Sequence, residues 1–183
     1  DDLVNGIVPF RAKSFYMTEE DYTYHGLLPS NLEGDPPPTG TPNFFVAIAP
    51  PDQFQIWEFS VDWTNPDAST FPFTPTTLHT TTPFDWVVGY LVDQPGTTEM
   101  LDLHSERLSS VTYRIVDGVE SLWASHTVMR DTGDDDIRWY ELRSLTTTPY
   151  FHQQGSFAPD SSFRWVSSLG VDGAGNMAIG YSI

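Results

Sequence analysis

Proline and glycine divide this chain into short runs of β-forming residues, and the apolar spacing of an amphipathic helix is nearly absent. The 183 residues include 15 prolines and 13 glycines, with many threonines between them. Such punctuation predicts an all-β fold. A chain of this length can bury a substantial core as one domain.

Alternating or continuous apolar runs predict the positions of the strands. The predicted strands are Phe44–Ala49, Phe54–Trp63, Thr76–Thr82, Arg107–Arg114, Ser121–Val128, Ile137–Arg143, Tyr150–Phe157, Arg164–Val171 and Asn176–Ser182. Two segments are predicted without strands. Leu28 to Pro42 is predicted to be a loop because its five prolines lack the amide donors of a central strand. Phe84 to Gly96 is predicted to be a connection.

The predicted strands repeat weakly, which indicates a repeated architecture. The hairpins that begin at Arg107 and Arg164 resemble each other and start 57 residues apart. A period of this length with four strands per unit predicts part of a β-propeller with four-stranded antiparallel blades, and a β-sandwich is the alternative. Residues 29–183 would supply about three blades or partial blades, and residues 1–28 form an N-terminal segment of uncertain structure.

The last predicted hairpin, Arg164 to Ser182, has no further strands after it in the sequence. A partly built sheet leaves an unpaired edge, which folded proteins normally protect, and a propeller closes with about four to eight blades. We therefore expect further protein, from the same or another chain, to complete the propeller.

The charge balance restricts the partners. Eight lysines and arginines against 25 aspartates and glutamates give a formal net charge of −17. Nucleic acid and anionic membrane surfaces are disfavoured because both require clustered cations. No apolar run is long enough to be inserted in a membrane. The absence of cysteine excludes disulfides and thiolate chemistry. The acidity fits either a solvated surface or loops that bind cations.

The densest acidic cluster predicts a calcium site. Its carboxylates come from Asp131, Asp134, Asp135 and Asp136. Hard oxygen ligands on one loop suit Ca²⁺, although the spacing is not that of an EF-hand. The alternative is a solvated hairpin turn, in which aspartate and glycine serve turn geometry.

Arginines and tryptophans are the candidate ligand-binding residues. Arg107, Arg114 and Arg164 lie at predicted inner-strand positions, and guanidinium groups bind carboxylates in a bidentate manner. The alternative is that they pair with the many acidic side chains. Trp86, in a connection, is the candidate for sugar stacking, whereas four strand tryptophans are expected in the core. These four are Trp57, Trp123, Trp139 and Trp165.

An ordered series of motifs over about residues 29–182 resembles a family of large bacterial secreted proteins. They include Gln94–Thr98 (QPGTT), Arg138–Arg143 (RWYELR), Phe157–Asp160 (FAPD) and Asp172–Ser182, which contains NMAIGYS. The resemblance implies a sialidase-like β-propeller that is exported from the cell. It implies no activity, because the family has no assigned one.

Two classes of function follow from these observations. The first is an extracellular, non-catalytic β-propeller that acts as a structural or interaction module within a larger assembly. The alternative is a carbohydrate-binding protein or a sialidase-like glycoside hydrolase. No catalytic residues are assigned, because no nucleophile and acid–base pair is evident, and the sequence leaves enzymatic activity open. No cofactor is predicted besides Ca²⁺.

Overall fold

A computed structural model describes residues 6, 13–15, 26–84, 91–102, 107–129 and 135–183. This part of the chain is built from strands, with one 3-10 turn at Pro66–Ala68. The strands are β1 (Leu28–Pro29), β2 (Asn31–Glu33), β3 (Asn43–Ala49), β4 (Gln53–Phe59), β5 (Thr76–His79), β6 (Leu91–Asp93), β7 (Met100–Asp102), β8 (Leu108–Val116), β9 (Val119–Met129), β10 (Asp135–Arg143), β11 (Tyr150–Phe157), β12 (Trp165–Val171) and β13 (Met177–Ser182). None of the described helical turns has the length and apolarity that a membrane span requires.

The strands form two larger sheets and two hairpins. The first sheet has the order β1-β3-β4-β5, and the second has the order β11-β10-β9-β8-β2. The last hairpin is β12-β13, and a separate small hairpin is β6-β7. Within the second sheet, β8 to β11 form a continuous antiparallel meander. The all-β class is therefore confirmed, and none of the described sheets closes on itself.

The second sheet is the middle layer of three. Successive side chains of a strand point to opposite faces, so β9 contributes to two cores. On one face, Leu122 packs with Phe44 and Phe54 of the first sheet. On the other face, Trp123 packs with Leu169 and Val171 of the last hairpin. The three layers follow one another in chain order.

The first strands of the three layers run in the same direction. We call the segment Leu28–Glu33 together with β8 and β12 the lead strands. Asn31–Glu33 pairs with β8 in parallel. The final residue of β12 lies beside the end of β2, where the backbone amide of Val171 donates to Glu33 Oε2 at 3.2 Å.

The segment Leu28–Glu33 corrects the prediction of an uninterrupted loop from Leu28 to Pro42. Its first part pairs with β3 and its second part with β8, so it joins the first sheet to the second. The two pieces contain only one proline, Pro29, which lies in the two-residue edge strand β1. The other prolines of the predicted loop follow Glu33, outside any strand. The predicted connection Phe84–Gly96 was also incomplete, because it contains β6.

Candidate functional site

The ends of the three lead strands meet in a charged node, which consists of Glu33, Arg114 and Asp172. Arg114 Nη1 lies 3.8 Å from Glu33 Oε2. Gly34 has a φ of +80°, and a Cβ added there would lie 3.2 Å from the Arg114 guanidinium carbon. Glycine at this position therefore permits both the turn and the close approach. The buried Nε of Arg114 has no hydrogen-bond partner among the described residues.

Asp172 organises the turn between β12 and β13. Its Oδ1 accepts hydrogen bonds from the backbone amides of Ala174 at 2.8 Å and Asn176 at 2.9 Å. Its Oδ2 accepts from Asn176 Nδ2 at 2.8 Å. These bonds, first of all those from Asn176, lower the pKa of the Asp172 carboxyl. Gly175 adopts a φ of +79°, which glycine tolerates. The carboxylate thus serves the turn.

Arg164 is enclosed by aromatic rings and its side chain is only 2% exposed. Its guanidinium carbon lies 5.6 Å from the ring centroid of Phe157 and 5.7 Å from that of Tyr181. Nη2 donates to Asp160 Oδ1 at 2.9 Å, and Nη1 donates to the Ser162 carbonyl at 2.9 Å. Burial lowers the pKa of Arg164, but bonds to Asp160 and Tyr181 outweigh it, so that the pKa is raised. Arg164 therefore fastens the last hairpin to β11.

Arg107 immediately precedes β8, and Arg114 lies near the other end of this strand. Arg107 packs against Gly26, where an added Cβ would lie 2.8 Å from Arg107 Cδ. At about 3.3 Å per strand residue, the two arginines are separated by roughly 23 Å along the strand. The structure does not bring them to one point, and Arg114 and Arg164 each face a carboxylate already. Carboxylate binding by the three arginines stays a prediction.

The predicted calcium ligands are only partly described. Asp131 and Asp134 lie outside the described residues. Asp135 and Asp136 are buried at the start of β10, and both have interaction partners. Among the described residues, no group of three metal-ligating side chains is assembled. Calcium binding stays a prediction.

The described tryptophans differ in how far their side chains are exposed to solvent. Trp57, Trp123 and Trp165 are buried, as predicted, and Trp139 is half-buried against Gly155. Trp86, the predicted stacking residue, lies outside the described residues. Trp63 is 82% exposed in the turn after β4, so the prediction that this strand extends to Trp63 is wrong. A local signal was available, because Asp62 and Asn65 flank Trp63 and favour turns.

The last hairpin offers an open edge and an open face. Among the described strands, β13 pairs only with β12. Ile179 and Met177 point towards the second sheet. Apart from Val166, the opposite face carries small side chains or none, namely Ser168, Gly170, Ala178, Gly180 and Ser182. Glycine within a strand often marks a place where another backbone approaches closely.

Val166 marks a strained position on the same face of the hairpin. It is 47% exposed and adopts a φ of +47°, which is rare for a β-branched residue. It lies in an irregularity of the β12–β13 ladder, and its amide donates to Thr127 Oγ1 at 3.2 Å. Backbone strain of this kind persists where surrounding contacts impose it, and it is frequent at binding surfaces.

A buried histidine lies in the second sheet, away from the hairpin. His126 Nε2 and the Tyr140 hydroxyl are 2.9 Å apart, and Phe84 packs edge-on against the imidazole. Burial, together with the nearby positive charge of Arg138, lowers the pKa of His126 to about 3. This imidazole is neutral at physiological pH and has a structural role.

Comparison with protein-family models, with curated proteins and with solved structures finds no match to this chain.

Proposed function

We propose that this chain is part of an extracellular, non-catalytic β-propeller that acts as a structural or interaction module. The observation that carries the proposal is the last hairpin, whose edge strand β13 and face of small residues have no partner sheet within the described part of the chain. Further protein, from the same polypeptide or another one, pairs with β13 and covers this face. Export from the cell rests on the resemblance to the secreted family.

The order of the layers supports a propeller over a sandwich. A β-sandwich packs two sheets face to face, whereas blades of a propeller succeed one another around an axis. Here three layers follow in chain order, and the segment Leu28–Glu33, which pairs with the first sheet at its start, runs parallel to β8 of the second sheet. The first sheet and the β8–β11 meander each supply four strands to such a blade.

The use of the charged side chains supports a non-catalytic role. Glu141 is buried, and its two oxygens accept hydrogen bonds from Arg143 at 2.7 Å and Gln153 at 2.6 Å. Asp172 is likewise occupied within the hairpin, and Arg164 is occupied by Asp160 in the segment before it. These groups stabilise the layers, and buried charges need such partners.

The proposal is tested by the native mass of the protein from its source. We expect a polypeptide much heavier than 20.6 kDa or a stable complex that contains this chain. A monomer of 20.6 kDa would contradict the proposal.

A charged side chain introduced on the open face of the last hairpin tests whether further protein contacts this face. A Cβ at Gly180 would meet no atom of the described residues within 4 Å, so Gly180→Lys is expected to leave the hairpin intact. Within the native assembly we expect this lysine to weaken association, because an unpaired charge would be buried. Thr146→Lys, in an exposed turn, is the matched control and leaves association unchanged. Equal behaviour of the two variants would place the contact elsewhere.

Carbohydrate binding is the second candidate function, and the exposed indole of Trp63 favours it. Exposed aromatic rings present an apolar face on which a sugar ring stacks. Replacement of Trp63 by alanine would then weaken glycan retention in affinity electrophoresis. Unchanged retention would exclude this residue as the platform.

A further inference from the structure

Two neighbouring pockets lie at the end of the first sheet where β3 begins and β4 ends. The small pocket has a volume of about 150 Å³, and its apolar walls include Leu32, Pro37, Pro42 and Phe44. The wide cleft has a volume of about 400 Å³. Its walls carry the hydroxyls of Ser60, Thr70, Thr74 and Thr76, the carboxylate of Glu58 and the ring of Phe71.

The two pockets are adjacent across the β3–β4 ladder. Phe44 lines the small pocket, Glu58 lines the wide cleft, and the two residues are direct partners in the antiparallel register. Partners of this kind have Cα atoms about 4.5–5.5 Å apart and side chains on the same face. An oligosaccharide that crosses the β3–β4 ladder can therefore reach both pockets.

The wide cleft suits a ligand rich in hydroxyl groups. Ser60, Thr70, Thr74 and Thr76 are exposed, and each hydroxyl both donates and accepts hydrogen bonds. The half-buried ring of Phe71 adds an apolar surface beside them. No lysine or arginine of the described chain lines either pocket. With a net charge of −17, the protein repels acidic glycans.

The small pocket suits an acetamido group. Its apolar walls accommodate a methyl group. At its rim, Ser30 Oγ donates to Asn43 Oδ1 at 3.0 Å, which occupies the carbonyl oxygen of the Asn43 amide. The NH₂ group of Asn43 has no hydrogen-bond partner among the described residues and can donate to an amide carbonyl of the ligand. Methyl and carbonyl together are the features of an N-acetyl substituent.

We propose that the two pockets form one binding site for an uncharged, N-acetylated oligosaccharide. The sugar hydroxyls lie in the wide cleft, and the acetamido group enters the small pocket. The site is formed by the first sheet, by residues 30–42 and 70–76, and by Tyr113 of the second sheet. It therefore does not depend on the completion of the last hairpin.

Calorimetric titration with two matched trisaccharides tests the proposal. The probes are N,N′,N″-triacetylchitotriose and cellotriose, which share the β-1,4 hexose chain and differ in the acetamido groups. We expect the acetylated probe to bind at least tenfold more tightly. Absence of binding, or equal binding of both probes, would overturn the proposal.

Two variants and a control test which part of the ligand each pocket binds. Thr76→Val removes one hydroxyl from the wide cleft with almost no change of volume, and we expect weaker binding of both probes. Thr77→Val alters the neighbouring residue on the opposite face of β5 and should leave binding unchanged. Asn43→Ala should abolish the preference for the acetylated probe. Equal effects of the two threonine variants, or a retained preference in Asn43→Ala, would contradict the assignment.

Failure of the sugar-binding proposal would not change the native mass of the protein. The proposed function therefore stands or falls independently of it.

Discussion

The second sheet and the last hairpin begin in the same way and differ in how they are completed. In both, a lead strand turns at an Asp-Gly sequence, Asp117-Gly118 or Asp172-Gly173, into an antiparallel partner. In the second sheet, β9 then pairs with β10, and its residues Ser121–Val128 are all buried. In the last hairpin, β13 has no second partner among the described strands, and none of its residues is buried.

The difference shows that the burial of a strand depends on how many neighbouring layers cover its faces. β9 is covered on one face by the first sheet and on the other by the last hairpin, so both sets of its alternating side chains are buried. The described residues cover β13 on one face only. Its alternation of half-buried and exposed residues is what an outer, one-sided strand shows.

The largest expected contrast comes from removing a side chain from each region. Leu122→Ala removes a fully buried side chain of β9 and should lower the free energy of unfolding by about 2–5 kcal/mol. Ile179→Ala truncates a half-buried side chain of β13 and should cost about 1 kcal/mol. Urea denaturation measures both. Equal losses would mean that the hairpin is as well packed as the second sheet.

Acid should weaken the second sheet before the hairpin. Folded His126 stays neutral down to a pKa of about 3, whereas the unfolded chain binds this proton near its ordinary pKa of 6.5. Stability contributed by the neutral imidazole is therefore complete above pH 6.5 and falls as the pH drops towards 3. By linkage the loss approaches about 2 kcal/mol at pH 5.

Denaturation between pH 7 and pH 5 checks this sign. His126→Gln should have a flatter pH profile than the unchanged chain, and His79→Gln, at an exposed histidine, should retain the slope. The hairpin has its own titrating group in Asp172, whose pKa is lowered, so its turn fails only at lower pH. A steep profile in His126→Gln would contradict the account.

A smaller effect is expected from the turn of the hairpin. Asp172→Ala removes the acceptor of three hydrogen bonds, so the amides of β13 should exchange roughly tenfold faster, while those of β9 change little. Asp35→Ala removes the same charge from an exposed loop and serves as the control. Equal acceleration in both variants would show that the charge and not the turn matters.

The smallest effect concerns backbone strain. Val166→Asn places a residue that tolerates positive φ at the strained position and should raise stability by at most about 1 kcal/mol. Val119→Asn, at an exposed valine without positive φ, should be neutral or destabilising. Thermal unfolding compares the two variants. A loss of stability in Val166→Asn would indicate that Val166 makes contacts that outweigh the strain.

Local pattern was sufficient for the regular strands. Tyr150–Phe157 was predicted with its observed bounds, and the predicted Ser121–Val128 lies within β9. The pairing of Asn31–Glu33 with β8 was not predictable, because it joins residues about 80 positions apart in parallel register. The predicted strand Phe54–Trp63 ends early at Phe59, since the side chain of Asp62 bonds the amides of the next turn.

The candidate sites were less predictable than the strands. Arg164 was selected as a scarce cation, but its enclosure by Phe157 and Tyr181 depends on how the hairpin packs on β11. The two pockets combine the start of β3 and the end of β4 with residues 30–42, residues 70–76 and Tyr113 of β8. No local pattern in the sequence carries information about that combination.

The most direct test of the central claim is amide hydrogen exchange of β13, measured in the isolated 183-residue chain and in the native assembly. The account predicts that in the isolated chain the amides of Met177–Ser182 exchange much faster than those of Val119–Met129, and that in the assembly both strands are protected. Protection of β13 in the isolated chain equal to that of β9 would contradict the claim that further protein covers the last hairpin.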